Sequence, residues 1–179
     1  MRDLTNLKTY IIDSNDPKEI DDAFSLEIIE GSIYKLWIHI SNPCKLFSKD
    51  SEIDNQAGSK SSSLYLIDRY VPMLPTEIIK KANLNQNKLS ETISASIIFN
   101  ENGSINNYEI LEAKIKPKYQ LTYEEADEII DLEPKEEFEM IEIKKLLINS
   151  SNYRKTQGAI TFNMPSSKIN INNGNVEIN

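Results

Sequence analysis

The chain has 179 residues, of which 28 are acidic and 20 basic, giving a formal net charge of -8 at neutral pH. This length suggests one domain or part of one, and the content of 39% hydrophobic and 27% charged residues is ordinary for a globular protein. A single cysteine and a single histidine exclude an internal disulfide and a zinc site built from these residue types.

The sequence also lacks the signals of several other protein classes. No segment approaches the roughly 18 apolar residues of a bilayer crossing, and the first three residues lead into no apolar signal core. We therefore expect a cytoplasmic protein without a membrane partner. The acidic balance lacks the basic footprint of a free-standing nucleic-acid binder, because Lys and Arg supply most non-specific affinity for phosphates.

Apolar and alternating runs predict two antiparallel hairpins. Residues 9–13 predict a strand ending in a carboxylate, and residues 24–29 resume strand character before a turn at residues 30–32. The returning strand has a period of two. One of its faces carries Tyr34, Leu36, Ile38 and Ile40, and the other carries Lys35, Trp37 and His39. Residues 90–116 predict the second hairpin, with its turn at residues 100–103.

Capping signals and periodicity place the helices. Thr122 and Glu125 fit a capping box, in which each side chain satisfies a free backbone N–H at the start of a helix. Pro134 fits the first turn of a longer helix that continues through residues 138–147.

Two shorter helices are predicted over residues 51–58 and 75–82, and residues 166–179 suggest a third hairpin. Together the elements predict an α+β fold: a mixed, largely antiparallel sheet with helices packed outside. No repeat or linker marks an internal domain boundary.

An acidic cluster occupies residues 13–22, where five carboxylates face a single lysine. Two unit charges about 4 Å apart repel by roughly 4 kcal/mol at an effective dielectric near 20. The folded chain must therefore either spread these side chains into water or hold a cation among them. The sequence alone leaves both interpretations open.

A calcium-binding EF-hand does not fit this cluster. Asp13 and Asn15 stand at its first and third positions, but Pro17 and Lys18 occupy the fifth and sixth. Phe24 stands where a bidentate glutamate is required.

Another arrangement fits the spacing better. If Glu19, Asp21 and Asp22 lie on a curved segment facing Asp13, hard oxygen ligands converge from two strand ends, which favours magnesium or manganese. A regular strand would send Asp21 and Asp22 to opposite faces, so we expect irregular backbone around residues 19–23. Two such metals about 4 Å apart generate a hydroxide and stabilise the leaving oxygen in displacement at phosphorus. The cluster therefore favours phosphodiester hydrolysis by a two-metal mechanism.

The opening RDLTNLKTYIIDSNDPKEIDDAFSLE resembles the start of the catalytic RNB domain of the ribonuclease II and ribonuclease R family. The resemblance continues, in the family's order, through LWIHIS, SSSLYLIDRYVPMLP, KYQLTYEEADEII and RKTQGAITFNMP. It implies that residues 1–179 form the N-terminal portion of an RNB-type exoribonuclease catalytic domain. The implied reaction is 3'–5' hydrolysis of single-stranded RNA to nucleoside 5'-monophosphates with Mg²⁺, or with Mn²⁺ in its place.

Site residues carry over from the resemblance position by position. The family's metal-site acids match Asp13, Glu19, Asp21 and Asp22, with Asp21 most directly tied to catalysis. Tyr65 and Tyr123 match aromatic positions that contact the RNA end, where ring stacking needs no sequence code.

The chain also departs from the family pattern. Glu19 stands where aspartate is more frequent, and residues 39–42 read HISN where many relatives have HIAD. The family's catalytic domain is longer than this chain, and OB-type RNA-binding domains are expected elsewhere in a full-length parent. The alternative to an enzyme is a catalytically silent, acidic RNB-fold fragment that acts as a binding or regulatory module.

Overall fold

The structure, a computed structural model, describes residues 1–29, 33–162, 169–172 and 175–178. The predicted turn at residues 30–32 lies outside the described residues. Within them, four α-helices are formed: α1 Glu52–Lys60, α2 Thr76–Ala82, α3 Tyr123–Leu132 and α4 Phe138–Thr156. The strands are β1 Arg2–Asp3, β2 Thr9–Asp13, β3 Asp22–Ile29, β4 Ile33–Ser41, β5 Leu64–Tyr65, β6 Tyr70–Val71, β7 Ser90–Phe99, β8 Ile105–Ile115, β9 Tyr119–Thr122, β10 Ile169–Asn172 and β11 Asn175–Ile178.

Seven strands form the main sheet in the order β1-β8-β7-β4-β3-β2-β9. The pairs β1–β8 and β2–β9 are parallel, and the other neighbours are antiparallel. The prediction of a mixed, largely antiparallel sheet with helices is therefore confirmed. Both long hairpins form, as β3–β4 and β7–β8, and the predicted tail hairpin forms as β10–β11.

The capping box at the start of α3 is present, since Thr122 accepts from the Glu125 N–H and Glu125 accepts from the Thr122 N–H. The short helices also form, as α1 and α2. The prediction for Pro134 was partly wrong. This proline precedes a 3₁₀ turn at Lys135–Glu137, and the long helix begins only at Phe138.

Contacts within the chain define two compact units. One consists of Met1–Asn42 and Ala82–Ala159 and contains the main sheet, α3 and α4. The other consists of Pro43–Lys81 and the described residues after Ala159. A small core in the second unit is formed by Ala57, Leu74, Ile78 and Ile79. Across the described ranges, no helix combines the length and apolar content that a membrane crossing requires.

The two faces of the main sheet differ in how they are covered. Trp37 and His39 lie on the fully buried face, together with the apolar core around Ile11, Ala113 and Ile115. The opposite face packs α4 through Ile143 against a few central residues, and many of its other apolar side chains remain exposed. The face of β4 that carries Trp37 and His39 is thus better buried than the face that carries Ile38 and Ile40.

Polar side chains on the buried face form hydrogen bonds with one another. His39 forms hydrogen bonds with Ser25 Oγ through Nε2 at 2.9 Å and with Ser94 Oγ through Nδ1 at 2.8 Å. Ser94 is in turn bonded to Thr92 at 2.8 Å. In the described part of the chain, every buried side-chain nitrogen or oxygen has a partner. A buried polar group that is fully hydrogen-bonded avoids a desolvation penalty of about 1–3 kcal/mol.

The start of α4 is fixed to β2 and β9 by one carboxylate. Glu137 accepts hydrogen bonds from the hydroxyls of Tyr10 and Tyr119, the latter at 2.9 Å. Lys8 pairs with Glu139 at 2.8 Å beside it. These contacts set the position of α4 over the sheet.

At the other end, the β7–β8 turn approaches α4 closely. Gly103 has a φ of +84°, and a Cβ added there would lie 2.8 Å from the Ser150 nitrogen and closer still to the Asn149 carbonyl. Only glycine fits this turn without displacing backbone.

We predict that Gly103→Ala lowers the free energy of unfolding by about 2 kcal/mol or more, because it combines a left-handed conformation with a backbone collision. Gly158→Ala is the matched control. Gly158 has a φ of +93° with nothing within 4 Å of the added Cβ, so this variant isolates the conformational cost. Denaturant unfolding of both variants measures the difference, and equal losses would show that the close approach is absent.

A second prediction concerns pH. Burial lowers the pKa of His39 from its ordinary 6.5 to about 4. Between pH 6.5 and about 4, His39 is therefore protonated in the unfolded chain but neutral in the folded chain. The free energy of unfolding should fall by about 1.4 kcal/mol for each pH unit over this range. Urea unfolding across this range should show that the free energy of unfolding falls more steeply with decreasing pH in the wild type than in His39→Gln. The two proteins have the same carboxylates, so the difference reports on His39. Parallel pH profiles would contradict the assignment.

Candidate active site

The acidic loop, residues 14–21, connects two neighbouring strands of the main sheet. Asp13 ends β2 and Asp22 begins β3, and the residues between them form bends without regular structure. The strands pair only at Thr9 with Ser25 and at Tyr10 with Phe24, so they separate before the loop begins. The irregular backbone expected around residues 19–23 is found at residues 19–21, whereas Asp22 already lies in the strand.

Ile20 fastens this loop to the core. Its side chain is 7% exposed and belongs to the buried cluster with Trp37 and Leu84. Its N–H donates to Asn83 Oδ1 at 3.2 Å, and its carbonyl accepts from the Leu84 N–H at 2.8 Å. The neighbouring Asp21 carbonyl accepts from the Ser41 N–H at 2.7 Å. The loop backbone that carries Glu19 and Asp21 is therefore held on both sides of the buried isoleucine.

Asp22 experiences the negative charge of its neighbours. Partial removal from water raises the pKa of the Asp22 carboxyl, and the charges of Asp21 and Asp13 raise it further. Asp22 thus lies within electrostatic reach of both Asp21 and Asp13 at the ends of the loop. Glu19 lies on the same anchored segment as Asp21.

The lysine of the loop does not compensate these three acids. Lys18 pairs with Asp16 Oδ2 at 2.6 Å, and Asp16 is the loop acid outside the predicted metal set. A closer approach of Asp13, Asp21 and Asp22 to one another would require positive charge from another source than Lys18.

The donor set fits a hard divalent cation in its chemistry, because carboxylate oxygens are the ligands that Mg²⁺ and Mn²⁺ prefer. The side chains are not closed around a common point. In the described ranges, no group of three or more His, Cys, Asp or Glu side chains is arranged to hold a metal ion. The backbone of the acidic loop is therefore held in place by the fold, whereas its carboxylates do not converge on one point.

The two predicted RNA-contacting tyrosines lie in different units. Parallel pairing of β2 with β9 aligns Asp13 with Thr122, so Tyr123, the first residue of α3, follows at the same edge of the sheet as the acids. Tyr123 is 56% exposed there. Tyr65 lies in the second unit on β5, is 64% exposed, and has its ring 5.1 Å from that of Tyr70.

Asn83 has a supporting role in this site that the sequence did not indicate. It reaches the acidic loop from 63 residues further along the chain, and no local pattern marks an asparagine that will bond a distant backbone N–H. The partner of Asp21, Ser41, belongs to the HISN segment that departs from the family pattern.

Comparison with known proteins identifies the family. The RNB domain model matches residues 1–179, and this chain therefore belongs to the RNB domain family. A curated relative, an uncharacterized ribonuclease of Synechocystis, is 36% identical over 171 residues, which is 95% of this chain and 26% of that protein. The chain thus spans about a quarter of the length of that relative.

Solved structures agree with the fold. Mycoplasma genitalium RNase R, determined in complex with ribose-methylated single-stranded RNA, matches with a TM-score of 0.81 and 22% identity over 99% of this chain and 29% of its own. Yeast Ssd1, described as a pseudonuclease, matches with a TM-score of 0.65 and 20% identity over 73% of this chain and 16% of its own. The RNB fold is therefore common to this chain, a nuclease and a pseudonuclease.

We predict that Asp22→Asn stabilises the metal-free protein slightly, by up to ~0.5 kcal/mol because solvent screens the charges. The folded state raises the pKa of Asp22, so the ionised form opposes folding above that pKa, and amide replacement removes this cost. Thermal unfolding at neutral pH in a chelator measures the change. Asp16→Asn, which removes the charge of an acid paired with Lys18, should give no gain. A loss of stability in Asp22→Asn would contradict the repulsion.

Proposed function

We propose that this chain carries the acidic half of a 3'–5' exoribonuclease centre that hydrolyses single-stranded RNA to nucleoside 5'-monophosphates. The observation that carries the proposal is the anchored acidic loop of an RNB-family chain, beside which burial and the charges of Asp21 and Asp13 raise the pKa of the Asp22 carboxyl. Such a concentration of negative charge on a fastened backbone is costly unless a cation offsets it.

Asp13, Glu19, Asp21 and Asp22 would hold Mg²⁺, or Mn²⁺. Bound there, divalent ions would activate water and stabilise the oxygen that leaves phosphorus, the chemistry of two-metal phosphodiester hydrolysis. The chain's own residues hold the loop: Ile20, Asn83 and Leu84 fix its backbone. The loop backbone is thus set by the fold, and the four carboxylates would gather only around bound ions.

Tyr123 would contact the RNA end next to these acids. Its exposed ring follows the residue that pairs with Asp13, so a terminal base or ribose stacked on it lies at the edge that bears the carboxylates. Tyr65, an exposed residue of β5, is proposed as a second aromatic RNA contact. Stacking of this kind tolerates any base, as an exonuclease requires.

A second candidate is a catalytically silent RNB-fold module that binds partners or RNA without hydrolysis. One observation favours it: within the described ranges the acids are not arranged as a metal group. The likeness to a pseudonuclease shows that the fold alone does not distinguish the two candidates.

Metal binding is tested on the 179-residue chain itself. We expect Mg²⁺ or Mn²⁺ to raise its melting temperature, because a ligand that binds only the native state stabilises it. The rise should disappear in Asp21→Asn and persist in Asp16→Asn, which makes the same charge change in the same loop. Equal rises in melting temperature for the wild type and Asp21→Asn would show that Asp21 does not bind the metal. No rise for the wild type, Asp21→Asn or Asp16→Asn would favour the silent module.

Catalysis is tested on the intact protein in which this chain occurs, with 5'-labelled single-stranded RNA and Mg²⁺. We expect Asp21→Asn to slow the shortening of the labelled RNA from its 3' end by more than about a hundredfold, the upper end for groups that only support a metal ligand. Asp16→Asn should retain activity. Equal rates for the wild type and Asp21→Asn would refute the proposed mechanism.

A further inference from the structure

A cavity of about 570 Å³ opens at the start of β2, the end of that strand opposite the acidic loop. Its walls include the residues before β2, the connection between β8 and β9, and the start of α4. Lys8 lines the cavity and Asp13 ends the strand, so about 16 Å of extended chain separates the two. The cavity is therefore separate from the candidate active site, and all of its lining residues belong to one compact unit.

Hydrogen bonds hold these walls together. The Lys118 N–H donates to the Thr9 carbonyl at 2.9 Å, and the Asn87 N–H donates to the Pro117 carbonyl at 2.8 Å. The side-chain amide of Gln86 donates to the Lys118 carbonyl at 2.9 Å. Asn87 has a φ of +61°, a left-handed conformation that asparagine adopts more readily than most residues. The fold thus forms the cavity in advance, as is usual for small-molecule sites.

The cavity is basic although the chain is acidic. Three lysines line it, Lys8, Lys116 and Lys118, against one acid, Glu139, and we call it the lysine cavity. Lys8 is the lysine that the acid neutralises, since its Nζ lies 2.8 Å from Glu139 and 3.6 Å from Glu137. Lys8 therefore contributes little net charge toward a ligand.

Lys116 and Lys118 supply the positive charge that remains. Both are exposed, and neither forms a salt bridge with a residue that the structure describes. The Lys118 ammonium lies 5.3 Å from the centre of the Tyr119 ring, a contact that leaves its charge in place. The two lysines flank Pro117, which is fully buried, so the backbone beneath them is fixed. Two ammonium groups on one fixed segment complement a ligand that carries two negative charges.

A phosphate monoester carries this charge, about -1.5 to -2 at neutral pH. Phosphate alone would fill only part of a cavity whose volume lies in the range of small-molecule sites, roughly 300–1,000 Å³. The rest of the lining suits a planar organic group. Leu7 and Ile28 offer apolar contact, and the amides of Asn6 and Asn87 both donate and accept hydrogen bonds. A nucleoside monophosphate combines such a group with the phosphate.

We propose that the lysine cavity binds a nucleoside 5'-monophosphate, with its phosphate at Lys116 and Lys118 and its base against Leu7 and Ile28. The choice of a nucleotide among phosphate monoesters rests on the proposed function, because RNA hydrolysis of that kind releases such molecules. Binding here requires neither Asp21 nor a metal ion, since the cavity lies at the other end of β2 from the acids.

The test titrates adenosine 5'-monophosphate into the 179-residue chain in the presence of a chelator, with calorimetry as the readout. We expect saturable binding that weakens by at least about fivefold in Lys116→Gln and in Lys118→Gln, because each variant removes a charge-assisted contact. Both lysines are exposed, so neither substitution disturbs the core.

Lys155→Gln is the matched control. It makes the same charge change on an exposed lysine near the end of α4, about 24 Å of helix away from Glu139. This variant should bind adenosine 5'-monophosphate like the wild type. No binding by the wild type, or equal affinities for Lys118→Gln and Lys155→Gln, would overturn the proposal.

Two smaller probes separate the parts of the ligand. Adenosine lacks the phosphate, and inorganic phosphate lacks the base and the ribose. Each should bind at least about fivefold more weakly than adenosine 5'-monophosphate. If either one bound as tightly as the nucleotide, the assignment to a nucleotide would be wrong.

An oligoribonucleotide without terminal phosphates distinguishes a free nucleotide from the backbone of RNA. Its affinity should be the same for the wild type and Lys118→Gln. If Lys118→Gln weakened oligonucleotide binding while adenosine 5'-monophosphate did not bind, the cavity would belong to the RNA backbone and the proposal would fail. Asp21→Asn should leave nucleotide binding unchanged even where it abolishes RNA hydrolysis, so the two proposals fail separately.

Discussion

The candidate site depends on the anchoring of one buried residue, Ile20, inside an acidic loop. The loop would be free to carry its carboxylates apart, because β2 and β3 have already separated where it begins. The buried side chain and two backbone hydrogen bonds, to Asn83 and Leu84, oppose that separation. Burial of an isoleucine contributes roughly 1.5–3 kcal/mol. This is enough to hold a backbone against screened repulsion, though the side chains themselves stay apart. Core packing thus holds the backbone of the loop that carries Glu19 and Asp21.

Most of the fold was predictable because its local signals agree. Alternation located β3, β4, β7 and β8, and the Thr122 capping box located α3 to the residue. What the pattern did not indicate is which face of β4 the protein buries. A row of isoleucines ordinarily predicts the core side, yet the fully buried face holds His39 with Ser25 and Ser94. The reason is long-range: each polar group finds its partner on another strand, and no single strand reveals that the hydrogen bonds will be complete.

The site was predictable to a similar depth. The sequence located the acids, because charge crowding between two apolar runs is visible without coordinates, and the structure places Asp13 and Asp22 at the ends of adjacent strands. The parallel alignment that brings Tyr123 to the same edge was not visible, since it depends on pairing between strands more than 100 residues apart. Nor does the sequence contain the information that Lys18 pairs with Asp16, the loop acid outside the predicted metal set. Closure of the carboxylates around a cation would depend on that cation, so neither propensity nor periodicity can determine it.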